Sequence, residues 1–584
     1  MRKGLIGLVM MALAASMAGE LSALAENSAT NLPLAEISAT DSQDNPPPDP
    51  AAAADAPWFQ APSDLPPTIP AISPITNPNL ALGLAGVNDW SVQQPFLDVM
   101  KTARPWVAHL PGQWGGWDYS RIEAGGYLDA DGWPLALPPG TTAISTLVLT
   151  DLPTDAEGVA GRYVLTYAGH GTLQLGGRAA LVEQTPGQIT FDFEPGPGAV
   201  MVTVTIIDPV DPIRDIHIVR EDRAAALHQG QIFNPDWLQR IRGARMLRFM
   251  DWMATNDATL TRAADRPRPD DFTWARNGVP MEVMITLANQ LDADPWFTLP
   301  HLADDDLVRQ LAVLARDGLK PGLRAWVEYS NEVWNWQFAQ AHWAEEQGRA
   351  RWGQEHSWVQ YYALRAAEVA DIWADVFADP DRLVRVIATQ TGWLGLEEQI
   401  LEAPLVLAEG RPAPVASFDA YAVTGYFSAA LGSDEKAAMV RSWLDQGEEA
   451  ALDLAARELR DGSVSGDAEG TLDHLTGTLW PYHAEVARRH GLRLVMYEGG
   501  THVVGQGKQT EDVALTAFFA RLNYAPQMGG LYDTLLGAWA GLTDAPFNAF
   551  VDVLQTSKWG SWGALRHLGD DNPRWRVLAR GCAC

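Results

Sequence analysis

Two glutamates stand where a carboxyl group can do acid–base work. The first lies in Arg324-Ala-Trp-Val-Glu-Tyr-Ser-Asn-Glu-Val-Trp-Asn-Trp336. Its apolar start, Ala325-Trp326-Val327, reads as a buried strand, and Asn331-Glu332 falls where that strand emerges. Tyr329, Trp334 and Trp336 surround Glu332 with a semi-apolar setting, which raises a carboxyl pKa and suits a general acid. The second lies in Leu492-Arg-Leu-Val-Met-Tyr-Glu498-Gly-Gly, again an apolar run that ends in an aromatic residue and a glutamate. Two strand-end carboxyls that share a barrel mouth are the equipment for breaking a glycosidic bond. One protonates the leaving oxygen while the other stays ionised, and retention of configuration requires them about 5 Å apart.

Such residues need a scaffold of parallel strands and helices. Leu80-Ala-Leu-Gly-Leu-Ala-Gly-Val-Asn-Asp-Trp90 reads as strand 1, followed by helical spacing over 95–106. Strand 2 is Met246–Met250, strand 3 Pro295–His301, strand 4 the run before Glu332 and strand 5 Val384–Gln390. Strand 6 is Phe418–Tyr426, strand 7 the run before Glu498 and strand 8 Phe547–Val553. Helical patterns separate them, which predicts an α/β fold, a (β/α)8 TIM barrel. The acidic run at Asp304 reads as a helix cap rather than a metal site. Between about 107 and 225 the pattern changes to short β-runs punctuated by Gly, Pro and Asp. The expected organisation is a β-sandwich-like accessory domain inserted after strand 1 and a catalytic barrel over 79–106 and 226–577. A short tail follows at 578–584.

The strand-end Asn331-Glu332 with the later Tyr497-Glu498-Gly-Gly resembles the clan-A glycoside hydrolases, retaining enzymes on (β/α)8 barrels. The string Tyr329-Ser-Asn-Glu-Val-Trp-Asn335 also resembles bacterial secreted proteins described as cellulase-like or cellulose-binding. The resemblance covers roughly 79–106 and 230–570. It implies Glu332 as acid/base at the end of strand 4 and Glu498 as nucleophile at the end of strand 7. It further implies Asn331 on the sugar 2-hydroxyl, an arginine that steadies the nucleophile and a tyrosine that donates to it. Arg248 fits the arginine better than Arg245, which lies nearer the start of strand 2, and Tyr426 fits the tyrosine. In the strand-8 loop, where the family places a sugar-stacking ring, Trp562 is favoured over Trp559. His301 at the end of strand 3, Trp90, Trp393 after strand 5, and His502 complete the candidate substrate contacts.

Composition narrows the partners. The chain has 584 residues, a formal charge of −31 and 24 tryptophans. That charge repels nucleic acid and anionic membranes and disfavours a strongly anionic glycan. The tryptophan excess favours a neutral polysaccharide or oligosaccharide, since exposed rings stack on sugars. Residues 1–25 read as a Sec-type signal peptide: Arg2 and Lys3, an apolar stretch from Leu5, and a small-residue site at Ala23-Leu-Ala25. Secretion is therefore expected. Residues 26–78 read as a disordered Pro/Ala-rich linker. No further stretch is long enough to span a membrane, and a monomer is expected. The two cysteines, Cys582 and Cys584, have a poor spacing for a disulfide. No zinc, dinucleotide or Gly-X-Ser-X-Gly pattern is present, so no cofactor or metal is implied. The rival to a glycanase is a glycan-binding protein without catalysis. An inverting or transglycosylating enzyme is a narrower alternative.

Overall fold

The structure, a computed structural model, describes residues 67–427 and 430–582. The expected signal peptide, the expected linker up to residue 66 and Cys584 lie outside the described residues. Strand β1 (Leu80–Gly83) opens a barrel, and the chain then leaves it for two antiparallel sheets. One sheet contains β2 (Val107–His109), β3 (Gly116–Trp117), β4 (Ala143–Val148), β6 (Gly171–Gly177) and β9 (Val200–Ile207), in the order β3-β2-β4-β9-β6. The other contains β5 (Gly161–Ala168), β7 (Ala180–Thr185), β8 (Gln188–Phe193) and β10 (Arg214–Arg220), in the order β10-β5-β8-β7. Strands β5, β9 and β10 largely alternate buried and more open positions. Val200, Val202 and Val204 on β9 and Leu165, Ile189, Phe191 and Ile218 on the other sheet belong to one apolar cluster.

The barrel resumes with β11 (Met246–Arg248), β12 (Asp294–Leu299), β13 (Ala325–Tyr329) and β14 (Leu383–Ala388). It closes with β15 (Ala420–Phe427), β16 (Arg493–Thr501) and β17 (Phe547–Ala549). All neighbours are parallel, and β17 pairs with β1 to shut the ring. This is a (β/α)8 TIM barrel, with its eight strands at the expected places. Strands buried on both faces need near-continuous apolar sequence, and β1, β11, β13 and β17 are buried at every position. Helices form the outer layer. Asp304 caps Asp305–Gly318 by accepting from the Leu307 amide at 2.8 Å, and Trp358–Phe377 packs over β13 and β14.

Several expectations need correction. The helix expected over 95–106 is only a 3-10 turn, Val99–Thr102: Asp98 caps it, and Pro95 and Pro105 bracket it. Strand β7 has all six residues exposed and so carries no burial alternation to read. The linker expected to reach residue 78 is tied down from Thr68, whose amide and hydroxyl reach Asp236 at 2.6 and 2.9 Å. The expected tail is the end of a helix, Pro573–Arg580, with Leu578 and Ala579 buried. The Ala579 carbonyl accepts from the amides of Thr76 and Asn77. Tryptophan serves packing first: Trp106, Trp237, Trp252, Trp296, Trp326, Trp373, Trp480, Trp539 and Trp575 are among the most deeply buried side chains.

Candidate active site

Arg248 is the hub. It ends β11, in register with Gly83 on one side and Trp296 on the other, and is 1 % exposed. Its Nη1 donates to Glu498 Oε1 at 2.8 Å; its Nη2 donates to Glu328 Oε2 and to Asn331 Oδ1, both at 2.9 Å. Glu328, buried in mid-β13, also accepts from Trp296 Nε1 at 2.9 Å. One planar guanidinium thus holds three side chains in a fixed fork. Burial alone would lower its pKa, but Glu328 and Glu498 raise it, so it stays a cation. Arg245 lies at the start of the strand and donates to Asn79.

Glu498 has a second donor, the Tyr426 hydroxyl, at 2.9 Å from Oε2. Burial pushes the Glu498 carboxyl up; Arg248 and the Tyr426 hydrogen bond pull it back. Glu332 has weaker help: Asn335 Nδ2 donates to Oε2 at 3.1 Å and the Tyr497 hydroxyl to Oε1 at 3.2 Å. Among the described residues no cation is paired with it. Burial, and then the charge of Glu498, pushes its carboxyl up to about 7. Burial thus raises both carboxyls, and a guanidinium and a phenol oppose that rise at Glu498. The backbone around Glu332 is held in the left-handed region that side chains avoid, with φ of 61° at Ser330 and 41° at Glu332. The chain turns sharply out of β13 there, and the Ser330 amide still donates to Leu299 of β12.

The second glutamate depends on a bulge. Neighbours along a regular strand point to opposite faces. Between β15 and β16 the pairing passes from Val423–Met496 to Thr424–Glu498, leaving Tyr497 as an extra residue. Tyr497 and Glu498 can then both face the site, one toward Glu332 and the other toward Arg248. The following glycines are required by space. A Cβ on Gly499 would lie 2.6 Å from Met496 Sδ, and one on Gly500, where φ is 143°, would lie 2.5 Å from the Tyr532 hydroxyl.

Asn331 is 3 % exposed and donates from Nδ2 to Asn256 Oδ1 at 3.1 Å; Gln340 braces both residues. His502 lies against Tyr426 and Trp562, with ring centroids 5.3 and 4.9 Å away. Phe550 joins the same group. Trp562 is buried and donates to the Trp559 carbonyl, and Lys558 covers the Trp559 ring. Burial lowers both His301 and His502 to about 4. Buried His301 packs on Trp343, and its Nδ1 has no hydrogen-bond partner among the described residues. Two other candidates have neighbours of their own. Trp90 sits under Arg104 beside the Asp89–Arg104 ion pair, and Trp393 is exposed and touches Trp358.

Sequence reading missed Glu328, Tyr497, Asn256, Asn335 and Asp251. Glu328 carried a signal, since Trp326 and Glu328 share one face of β13 by two-residue periodicity. Asp251, three residues past Arg248, has its carboxyl raised to about 7 by burial and then by the charge of Glu498. Nothing in its local sequence announces that. Among the described residues, no group of three or more His, Cys, Asp or Glu side chains could hold a metal, and no helix is long and apolar enough to cross a membrane.

The raised Glu332 carboxyl has a measurable cost. A carboxyl whose folded pKa exceeds its unfolded value near 4.3 destabilises the fold as pH rises between the two. Glu332→Gln is therefore expected to leave stability unchanged below about pH 4. The variant should gain progressively from there to about pH 7 and hold a gain of ~1–3 kcal/mol above that. Urea unfolding of both proteins at pH 4 and pH 8 checks this; no gain at pH 8 would mean that Glu332 ionises normally.

No family model matches the chain, and no curated protein matches it. Among solved structures, one from a study of two fungal β-1,4-galactanases is 11 % identical. The match covers 60 % of this chain and 91 % of that one, with a TM-score of 0.33. A likeness at that level says nothing about the site. The strand order and the register define a (β/α)8 barrel with an arginine-centred carboxylate cluster at the strands' C-terminal ends, the end at which barrels of this type carry their chemistry.

Proposed function

We propose that this protein is a secreted retaining glycoside hydrolase of the clan-A type that cleaves a β-linked, cellulose- or β-glucan-like polysaccharide by double displacement. The observation that carries the reading is the unequal treatment of two carboxyls at one barrel mouth. Glu498 is clamped by a guanidinium and a phenol, whereas Glu332 lacks a cation and is raised to about 7. Environments that push two carboxyls apart assign an acid and a nucleophile.

In the first step Glu498 attacks the anomeric carbon while Glu332 gives its proton to the departing oxygen, leaving a glycosyl ester on Glu498. In the second step Glu332, now ionised, takes a proton from water, which displaces the ester. Asn331, oriented by Arg248 and Asn256, would hold the sugar 2-hydroxyl, a contact that strengthens as the ring approaches an oxocarbenium ion. The choice of a neutral glucan rests on the sequence resemblance and on the −31 charge. The 107–225 segment is proposed as an accessory domain that shapes one end of the cleft.

The test separates the two carboxyls by leaving group. Glu332→Gln should lose ~10²–10⁴-fold on polysaccharide, the usual scale of general acid catalysis. The formation of its glycosyl ester from a dinitrophenyl glycoside, which needs no proton, should be nearly intact. Azide should restore turnover to Glu332→Ala, because an anionic nucleophile needs no general base. Equal losses on both substrates would remove Glu332 from the acid role. A folded wild-type protein that binds glycans but hydrolyses none would make this a binding protein instead.

A further inference from the structure

A series of indole rings begins on the loop that carries Glu332. Trp336 is four residues beyond it. Its ring centroid lies 5.0 Å from that of Trp358, which opens the helix Trp358–Phe377, and Trp358 lies 6.2 Å from Trp393 in the loop after β14. Trp336 is half-buried, Trp358 is 7 % exposed and Trp393 is 40 % exposed, next to Leu394 at 43 %. An exposed Trp-Leu pair at a loop tip is unusual in a chain that places so many tryptophans in its core. Among the described residues the buried Trp358 Nε1 has no hydrogen-bond partner, whereas a buried indole N–H usually has one. The row thus presents apolar surface at its two ends, Trp336 and Trp393, joined through the buried ring of Trp358.

Its direction follows from the chemistry. The acid gives its proton to the oxygen of the leaving sugar, so that sugar lies on the Glu332 side of the cut. The aromatic group of Tyr426, His502, Phe550 and Trp562 lies at the ends of β15, β16 and β17, beside Glu498. Nothing in the first chemical step needs rings beyond the leaving oxygen. Apolar rings do suit the C–H faces of further sugars.

We infer that Trp336, Trp358 and Trp393 form a track for the leaving-group half of a glycan chain, so that the enzyme cuts inside a polymer and not at its end. The inference rests on the proposed assignment of Glu332 as the acid.

The experiment compares full-length wild type, Trp393→Ala and Trp393→Phe on a soluble mixed-linkage β-glucan and on 4-nitrophenyl β-cellobioside, whose leaving group carries no sugar. Trp393 is exposed, so its loss leaves the core intact. The ratio of kcat/KM on polymer to that on aryl glycoside should fall roughly 10-fold in Trp393→Ala, the scale of one lost aromatic contact, mainly through KM. Trp393→Phe should recover most of it. Wild type should reduce the viscosity of the polymer ahead of reducing-end release, and Trp393→Ala should narrow that lead. An unchanged ratio, or equal losses on both substrates, overturns the track. If wild type cuts neither substrate, the glycosidase reading or its sugar fails separately. The track is then decided by native gels containing β-glucan, xylan, mannan or galactan: wild type retarded more than Trp393→Ala in any of them supports it, and equal mobility in all overturns it.

Discussion

Glu498→Gln is expected to lower turnover of every glycoside by ~10⁴-fold or more, whatever the leaving group, the scale seen when an essential member of a catalytic unit is removed. An amide cannot form the glycosyl ester on which both chemical steps depend. The substitution preserves shape, and Arg248 Nη1 still finds a carbonyl oxygen to donate to, so the barrel should remain folded. Mass spectrometry of wild type with a fluorinated glycoside should show one covalent sugar on Glu498, and the variant should show none. Circular dichroism guards against the trivial explanation. A variant with activity within tenfold of wild type would remove Glu498 from the nucleophile role. The contrast with Glu332 is the informative part: loss of the acid depends on the leaving group, whereas loss of the nucleophile does not.

Arg248→Ala is expected to be the most destabilising single change at the site. It strands Glu328 and Glu498, both buried, and it releases Asn331. Removing one partner of a buried ion pair costs about 3–5 kcal/mol because an uncompensated charge is left behind. The sign of the pH dependence is fixed by the same physics. Without Arg248 burial raises both carboxyls further, so the folded state binds protons more tightly than the unfolded chain. The deficit should be small near pH 4, where both carboxyls are protonated in either state. It should grow as pH rises through the usual carboxylate range toward the raised folded pKa values. Urea unfolding at pH 4.5 and pH 8 reads this directly, and a deficit that is equal at both pH values would contradict it. Arg248→Lys should not restore stability or activity, since one ammonium cannot reproduce a planar fork to three acceptors.

How much was legible depended on the range of the signal. The barrel strands could be read because each is buried on both faces and so must be an apolar run. The carboxyls at β13 and β16 could be read because each follows such a run. Segments with weaker periodicity misled. Exposed β7 shows no alternation. Residues 95–106 have helical spacing yet lie under the inserted sheets, where Asp98 accepts from the Ile218 amide and the His217 ring and the helix gives way to a single turn. The tryptophan count pointed to sugars, whereas most of the deeply buried large side chains are Trp that fill the interior. Charged groups inside the barrel were the hardest to see. Glu328 looks like an interruption in a strand until Arg248 is placed across from it.

By itself the sequence determined the strands, their order as α/β units and the two glutamates at strand ends, since burial periodicity and chain punctuation are local properties. Only the tertiary structure decided which of the many carboxyls and arginines meet. Arg248 reaches Glu498 across 250 positions of chain, a pairing that follows from ring closure and not from any neighbourhood in sequence. The unequal surroundings of Glu332 and Glu498 also came from three dimensions. A bulge turns Tyr497 and Glu498 to the same side, and a left-handed turn brings Glu332 out of β13. The cation falls to one carboxyl and not to the other. Proton affinity depends on burial and on charges within a few ångströms, and those distances exist only once the barrel has closed.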